Sequence, residues 1–290
     1  MVRIAVISDI HGNLPALEAV LDDVQVMAPD QVIVNGDIIN RGPQSVECLQ
    51  TIRVLGWPVV FGNHEEYALK RIDGEVPAPW HTRFWEPFQR VAEALSADEV
   101  AYLRALPRDY VVDVPNLPAI RIVHGSMRAL NDALGYWMSD AELLEAVNGA
   151  PEPIVIGAHS HRTFERRARA RWLLNSGSVG APFNGDPGAQ YVLMTAVNGD
   201  WKAEFRSVAY DRAPVYAAWA RSGELERCMS TQVFKYEVET ATFHLGSYIR
   251  FCELHGFEPN ARASFERYRD WSRDVPPGRS LSGQHKKWHG

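Results

Sequence analysis

Short apolar runs alternate with helical patterns in the first part of the chain. Each run is bounded by polar residues or proline, which is typical of a strand that is buried on both faces. A helix is predicted after the N-cap candidate Asn13, with leucines and a valine at helical spacing, and a second helix over residues 43–55. The three predicted strands are residues 4–7, 31–34 and 58–61. This strand–helix order predicts parallel pairing.

The middle of the chain is helical and aromatic, and more strand patterns follow it. Residues 75–107 contain clustered tryptophans and phenylalanines, and Ser96 with Glu99 forms a capping-box pattern. The last two strands are joined through Asn198-Gly199, which predicts a hairpin and an antiparallel arrangement of the later strands. The later strands are predicted over residues 120–123, 154–156, 172–174, 191–196 and 202–208.

The strand patterns stop near Asp211, where a helical extension is predicted to begin. We therefore divide the chain into a main domain, residues 1–210, and an extension, residues 211–290, which we expect to pack on the main domain and to support self-association. A mobile tail is expected over residues 276–290. Two helical stripes lie in the extension, one formed by Ala241, Leu245, Tyr248, Ile249 and Cys252 and the other by Ala261, Phe265 and Tyr268.

Composition excludes several classes of protein. The chain has 30 Lys and Arg against 36 Asp and Glu, a net charge of −6, which excludes a polybasic nucleic-acid binder and predicts no stable nucleic-acid complex. Three cysteines without a CxxC pair predict neither a disulfide framework nor a thiolate zinc site. The first apolar run is too short and too polar for a signal peptide, and we find no membrane-spanning stretch. We expect a cytoplasmic protein.

Candidate metal ligands follow five of the predicted strands. One such residue after a strand is usually a cap or a loop residue, but the carboxyl ends of strands in open α/β sheets can bring such residues to one crevice. Carboxylates, imidazoles and an amide without thiolate suit two divalent cations, with manganese preferred and iron or zinc as alternatives. The candidates are Asp9, His11, Asp37, Asn63, His64, His124, His159 and His161.

These residues lie in five segments that resemble the signature blocks of the calcineurin-like metallophosphoesterases. Residues 8–13 and 175–178 resemble the small bacterial phosphodiesterase-like branch, whereas residues 36–43 resemble Ser/Thr protein phosphatases and diadenosine tetraphosphatases. The resemblance implies an α/β (α+β) fold, a four-layer β-sandwich flanked by helices. The five segments are residues 9–11, 36–37, 62–65, 124–125 and 157–161.

The resemblance also implies roles for individual residues. A hydroxide that bridges the two cations would attack phosphorus, and His64 would assist the leaving group. The implied ligands are Asp9, His11 and His161 for one cation, Asn63, His124 and His159 for the other, and Asp37 for both. The implied catalytic residues are His64, Arg41 and Asp37, and Arg41, Asn63 and His64 would contact the substrate.

Two positions leave alternatives open. Arg41 is interpreted as a phosphate-binding residue, because a guanidinium fork fits two phosphoryl oxygens, with a solvated loop arginine as the alternative. Asn40 stands where protein phosphatases usually have Asp. An amide favours an imidazolium less than a carboxylate does, so a charged dyad with His64 is in doubt.

The resulting function is a metal-dependent phosphoesterase that hydrolyses phosphodiester or phosphomonoester bonds of a phosphate-ester or nucleotide substrate. The alternatives are a Ser/Thr protein phosphatase, a diadenosine tetraphosphate hydrolase and, remotely, a non-catalytic scaffold. Three weaker signals favour a structural role. Asn13 fits a helix cap as well as a substrate contact, Arg162 is expected to be exposed, and His81 fits core packing better than a lid.

Overall fold

The computed structural model describes residues 2–273, and within them two five-stranded sheets pack face to face. The strand order is β10-β9-β1-β2-β3 in the first sheet and β4-β5-β6-β8-β7 in the second. The strands are β1 Arg3–Ile7, β2 Gln31–Asn35, β3 Val59–Val60, β4 Asp109–Val112, β5 Ile120–Val123, β6 Ile154–Gly157, β7 Thr163–Ala168, β8 Arg171–Ser176, β9 Ala189–Val197 and β10 Asp200–Val208.

Helices flank the sandwich and form the end of the described chain. Those of the main domain are α1 Leu14–Met27, α2 Ser45–Leu55, α3 Asn63–Ile72, α4 Glu86–Ala94, α5 Ala97–Arg104 and α6 Asp140–Ala146. Those of the extension are α7 Ala213–Ser222, α8 Glu224–Arg227, α9 Met229–Thr240, α10 Leu245–His255 and α11 Arg262–Arg273. Two short 3-10 turns, Ala78–His81 and Arg83–Trp85, precede α4.

The period-two alternation of β1 shows how the layers are built. Ile4 and Val6 face the second sheet and join its apolar residues, whereas Ala5 and Ile7 face the layer that contains α1, α2 and α5. On the far side of the second sheet, Leu143 of α6 packs on the sheet. The expected four-layer arrangement is therefore confirmed.

The opening strands are parallel, as the sequence predicts. Strand β2 pairs in parallel with both β1 and β3. Asn13 caps α1, since its Oδ1 accepts a hydrogen bond from Ala16 N at 3.3 Å. Helix α2 begins at Ser45 rather than residue 43, and β3 is shorter than predicted, with the two residues Val59–Val60.

The antiparallel prediction for the later strands is correct for β9 and β10 and wrong for the three predicted strands of the second sheet. There β5, β6 and β8 run parallel, because α6 and β7 provide the connections between them. The sequence pattern did not predict β4, β7, α3 or α6. Strand β7 reads Thr-Phe-Glu-Arg-Arg-Ala, and this polar edge strand has no apolar run to reveal it.

The helices of the extension pack on the main domain next to the ends of the strands. Trp219 of α7 shares a buried apolar cluster with Phe183 of the main domain, and Arg90 of α4 pairs with Glu224 of α8 at 3.3 Å. Ala241 is not part of the α10 stripe as predicted, because it ends α9 in a left-handed conformation. Cys252, which the sequence places on an apolar helical stripe, is buried. The tail over residues 276–290 lies outside the described residues.

None of the helices within residues 2–273 combines the length and the apolar character needed to cross a membrane.

Candidate metal and phosphate site

The eight candidate residues meet at one end of the sandwich, where strands of both sheets end. Several of them have positive φ angles, which L-residues rarely adopt and which concentrate at functional sites. The sharp reversals allow side chains that directly follow a strand to turn into the crevice. The candidate residues with positive φ are Asp9, His11, Asp37, His159 and His161, and Asn40 and Arg41 share this conformation.

The first group of side chains contains Asp9, His11 and His161, whose ligand atoms all lie within 4.8 Å of one another. His11 Nε2 lies 3.1 Å from His161 Nε2, and Asp9 Oδ1 lies 3.4 Å from His161 Nε2. Ser8 Oγ donates to Asp9 Oδ2 at 2.7 Å, which leaves Asp9 Oδ1 for the crevice. All three residues are buried.

The second group contains Asn63, His124 and His159. Asn63 Oδ1 lies 2.8 Å from His124 Nε2 and 2.8 Å from His159 Nδ1. Asp37 lies between the two groups, because its Oδ2 is 3.3 Å from His124 Nε2 and 3.6 Å from His11 Nε2. The structure thus brings together all seven residues that the sequence analysis interpreted as ligands.

Backbone carbonyls orient two of the imidazoles. His161 Nδ1 lies 2.6 Å from Ala181 O, and His124 Nδ1 lies 2.8 Å from Asn35 O. A carbonyl oxygen can only accept a hydrogen bond, so in each ring Nδ1 carries a proton and Nε2 is the atom that can offer a lone pair to a cation.

The residues fit divalent cations. Asp9 Oδ1 is buried without a hydrogen-bond partner, and a buried carboxylate oxygen normally has one. The Nε2 atoms of His11 and His161 also lie close together. A hydrogen bond between these two atoms would leave only one of their lone pairs free to bind a cation. Donors of this kind, with nitrogen and oxygen but no sulfur, suit manganese, iron or zinc.

The pKa values of the imidazoles favour neutral rings over most of the site. Burial lowers the pKa of His159 to about 4, and it lowers the pKa of His11 and of His161 well below the usual range. Burial also opposes the charge on His124, but the Asp37 and Asp9 carboxylates and the Asn35 carbonyl together outweigh it and raise the pKa of His124 to about 10. Neutral imidazole is the form that binds metal ions.

Residues 175–178, which the sequence analysis noted only for their resemblance, hold the loops of the site. Asn175 Nδ2 donates to Ala158 O at 2.6 Å, directly before His159. Ser178 Oγ donates to Asp9 O at 2.8 Å. The two side chains therefore fix one loop from each sheet.

Glu65 was part of a signature block without an assigned role, and the structure shows what it does. Its Oε2 accepts from Asp37 N at 2.8 Å and Gly62 N at 3.0 Å, while Oε1 accepts from Ile38 N at 2.8 Å. A Cβ on Gly62 would lie 2.3 Å from Asp37 Oδ1, so only glycine allows this approach. Glu65 thus holds the loop of Asp37 against the start of α3.

We expect Glu65→Ala to destabilise the fold by at least about 3 kcal/mol, because each buried donor left without an acceptor costs about 1–3 kcal/mol. Urea unfolding followed by circular dichroism measures this change. Glu66→Ala is the matched control, since Glu66 is partly exposed, pairs with Lys70 at 3.1 Å and should change stability by less than about 1 kcal/mol. Equal stabilities of the two variants would contradict the role of Glu65.

His64 lies at the start of α3, beside the ligand groups. Its ring contacts those of His11, with centroids 4.6 Å apart, and Phe88, with centroids 5.4 Å apart. Burial lowers the pKa of His64 to about 3. Asn40 does not hydrogen-bond the imidazole, because its Nδ2 donates instead to the His64 carbonyl oxygen at 2.7 Å. The dyad that the sequence analysis doubted is absent here.

Arg41 is not a solvated loop arginine. Its side chain is 9% exposed, forms an ion pair with Glu237 of α9, and places its guanidinium 4.1 Å from the centroid of the Phe234 ring. Phe234 and Glu237 were missed by the sequence analysis, because the extension has no recognisable chemical motif and only the tertiary fold brings α9 to the site.

The weaker sequence signals have mixed outcomes. His81 is exposed, so core packing was wrong for it, whereas Trp80 and Trp85 stack on each other near Phe88. Arg162 is half-buried rather than exposed, because its Nε donates to Phe183 O at 2.9 Å.

Comparison with known proteins gives a family for this geometry. The model of the calcineurin-like phosphoesterase superfamily domain matches residues 2–199, a range that contains all eight candidate residues. The chain belongs to the calcineurin-like phosphoesterase superfamily. This family is metal-dependent, and the side-chain groups around Asp9, Asp37 and His124 could bind metal ions. The superfamily match ends before α7, so the extension lies outside it.

Similarities to individual proteins also support membership in the superfamily. An uncharacterized protein of Methanocaldococcus jannaschii is 26% identical over 235 residues, which are 73% of this chain and 90% of that protein. A crystal structure of a metallophosphoesterase from Sphaerobacter thermophilus has a TM-score of 0.66 and 27% identity, covering 83% of this chain and 100% of that chain. A symmetrical bis(5'-nucleosyl)-tetraphosphatase of Erwinia tasmaniensis is 44% identical over 66 residues, which are 22% of this chain and 24% of that enzyme.

Proposed function

We propose that this protein is a phosphoesterase that hydrolyses small phosphodiesters at a centre of two divalent cations. The observation that carries the proposal is the position of Asp37 Oδ2, 3.6 Å from His11 Nε2 in one ligand group and 3.3 Å from His124 Nε2 in the other. A carboxylate between two such groups can serve both cations. The ligands would be Asp9, His11 and His161 for one cation, Asn63, His124 and His159 for the other, and Asp37 for both.

Divalent cations in such a site supply Lewis-acid stabilisation of phosphoryl charge and acidify water. The remaining work falls to side chains of this chain. Arg41 presents a guanidinium beside the ligand groups, which suits the binding and orientation of phosphoryl oxygens. A neutral His64 can donate a ring N–H to the oxygen of the departing group and stabilise the charge that develops on it.

The aromatic side chains that cover the site favour a small substrate. Phe88 packs on the ring of His64, Phe234 lies 5.9 Å from the ring of His11, and the side chain of His64 is only 9% exposed. A phosphorylated segment of a folded protein is bulkier than a small diester and would need this cover to open. The geometry therefore argues against a protein phosphatase.

A dinucleoside tetraphosphate is the second candidate substrate. The similarity to the tetraphosphatase of Erwinia tasmaniensis supports it, although that similarity covers about a quarter of either protein. Aromatic rings also adjoin His64, since Tyr67 lies 5.2 Å and Phe88 5.4 Å from it between ring centroids. Flat rings of this kind can stack on nucleobases.

We expect metal-stripped protein to regain hydrolysis of bis-p-nitrophenyl phosphate when manganese is added, and to act more slowly on p-nitrophenyl phosphate. Diadenosine tetraphosphate is the third substrate in the same assay, and iron, zinc and magnesium are added singly for comparison. Preference for the tetraphosphate would replace the small diester by the second candidate. Bound cations without hydrolysis of any of the three substrates would contradict the proposal and favour a scaffold.

A further inference from the structure

Helix α9 of the extension contributes two side chains to the surroundings of Arg41. Phe234 and Glu237 are three residues apart and so lie on the same face of the helix. Phe234 stacks against the guanidinium at 4.1 Å, and Glu237 forms an ion pair with Arg41 Nη2. The residue that the proposed function assigns to phosphate is therefore held by a part of the chain outside the superfamily match.

Glu237 is fixed on both of its oxygens. Its Oε1 accepts from His244 N at 2.7 Å and from Leu245 N at 2.8 Å, at the beginning of α10. Its Oε2 accepts from Arg41, and the side chain has no exposed surface. A carboxylate bound to backbone amides in this way has little freedom to follow a moving partner, so the guanidinium takes its position from Glu237.

The arginine that is held in this way lies next to the first ligand group. Phe234, on which it stacks, also meets the ring of His11 edge-on, with centroids 5.9 Å apart. The ring of Phe234 therefore contacts both the guanidinium of Arg41 and a side chain of the first ligand group.

The ion pair uses only part of the guanidinium. Glu237 bonds to Nη2 alone, because its Oε1 is taken by the amides of α10. A guanidinium has five N–H donors in a planar fork, so within residues 2–273 Nε and Nη1 keep donors that Glu237 does not use. This geometry orients Arg41 for a phosphoryl group and does not compete with that group.

We propose that Glu237 is a positioning residue that, together with Phe234, holds Arg41 in the orientation that binds a phosphoryl group. The proposal rests on the proposed function, because it assumes that Arg41 meets the phosphate. It gives the extension a role in substrate binding, since the docking of α9 and α10 sets the position of a loop that follows β2.

The test compares Glu237→Gln with the wild type, with each protein loaded with manganese. The variant should raise the inhibition constant of inorganic phosphate and KM for bis-p-nitrophenyl phosphate roughly tenfold, which corresponds to about 1.4 kcal/mol. Glu239→Gln is the matched control on α9, because Glu239 is exposed and pairs with Lys235 away from Arg41. Phe234→Leu keeps apolar volume but removes the ring, and it should raise the inhibition constant of inorganic phosphate by a smaller factor than Glu237→Gln does.

A double-mutant cycle separates positioning from a merely structural role. In an Arg41→Ala background, Glu237→Gln should leave the inhibition constant of inorganic phosphate unchanged, because the residue through which Glu237 acts is absent. An equal rise in that background would overturn the proposal, as would tighter phosphate binding by Glu237→Gln alone. If Glu237→Gln does not fold, the same cycle with Phe234→Leu decides. An inactive wild type contradicts the proposed function, whereas an active wild type with an unaffected Glu237→Gln contradicts only this inference.

Discussion

Asp37→Asn should abolish cation binding and hydrolysis together, with a loss of at least about a hundredfold in metal affinity. The substitution is conservative in shape. Asp37 Oδ1 accepts from His64 N at 2.8 Å, and an asparagine carbonyl can keep this hydrogen bond. The amide nitrogen then takes the place of Oδ2, which faces His11 and His124. The site loses its central negative charge and gains a donor where a cation should bind.

Two measurements check the effect of Asp37→Asn. Metal analysis after dialysis gives the cation content, and the increase in Tm on addition of manganese reports binding without reference to activity, because a ligand of the folded state stabilises it. We expect the wild type to gain stability and the variant to show no gain.

Asp23→Asn is the matched control for Asp37→Asn. Asp23 lies outside the site and binds Arg206 Nε at 2.7 Å and Tyr191 Oη at 2.6 Å, so its replacement should reduce stability but not cation content. Binding of two cations by Asp37→Asn would show that Asp37 is not a ligand of both cations.

The parts of the fold that the sequence predicts are those whose apolar pattern is local. Strands β1 and β2 are runs of buried residues, and the helix between them carries its own N-cap, so neither depends on distant contacts to be recognised. The candidate ligands were predictable for the same reason, because each lies within four residues of the end of a strand. Within each sheet they converge because β1, β2 and β3 run parallel, as do β5 and β6.

Some of the missed elements had readable signals. Helix α3 begins after Gly62, has Glu65 and Glu66 in its first turn and has basic residues in its last turn. Helix α6 has a capping box, in which Ser139 N donates to Glu142 Oε2 at 2.8 Å. Both helices are short, with 10 residues in α3 and 7 in α6, so each shows only a brief helical pattern.

Other features have no local signal. Strands β4 and β7 lie at the edges of the second sheet. Polar residues interrupt β7, and β4 has only four residues, of which only Val112 is buried. The pairing of Arg41 with Glu237 joins residues separated by 196 positions, and neither residue is unusual in its own segment. A long-range ion pair of this kind follows from how α9 docks, which depends on packing throughout the extension.

His64→Ala should leave cation binding intact and slow hydrolysis by about 10²–10⁴-fold, the usual contribution of a proton-donating side chain. None of the close contacts in the two ligand groups requires His64, so its removal leaves Asp37 Oδ2 near His11 and His124. His64 nevertheless lies beside the first group, since its ring centroid is 4.6 Å from that of His11. If His64 acts at the leaving group, the loss of hydrolysis rate should depend on which leaving group departs.

Two diesters with different leaving groups test this dependence. Bis-p-nitrophenyl phosphate releases a stable anion, whereas diphenyl phosphate releases a more basic one that needs more help, so His64→Ala should slow diphenyl phosphate hydrolysis more strongly. His255→Ala is the matched control, because His255 is exposed on α10 and should leave both rates unchanged. Equal slowing of both substrates would assign His64 to the binding or positioning of the phosphoryl group, since only assistance to the departing oxygen makes the loss grow with the basicity of that oxygen.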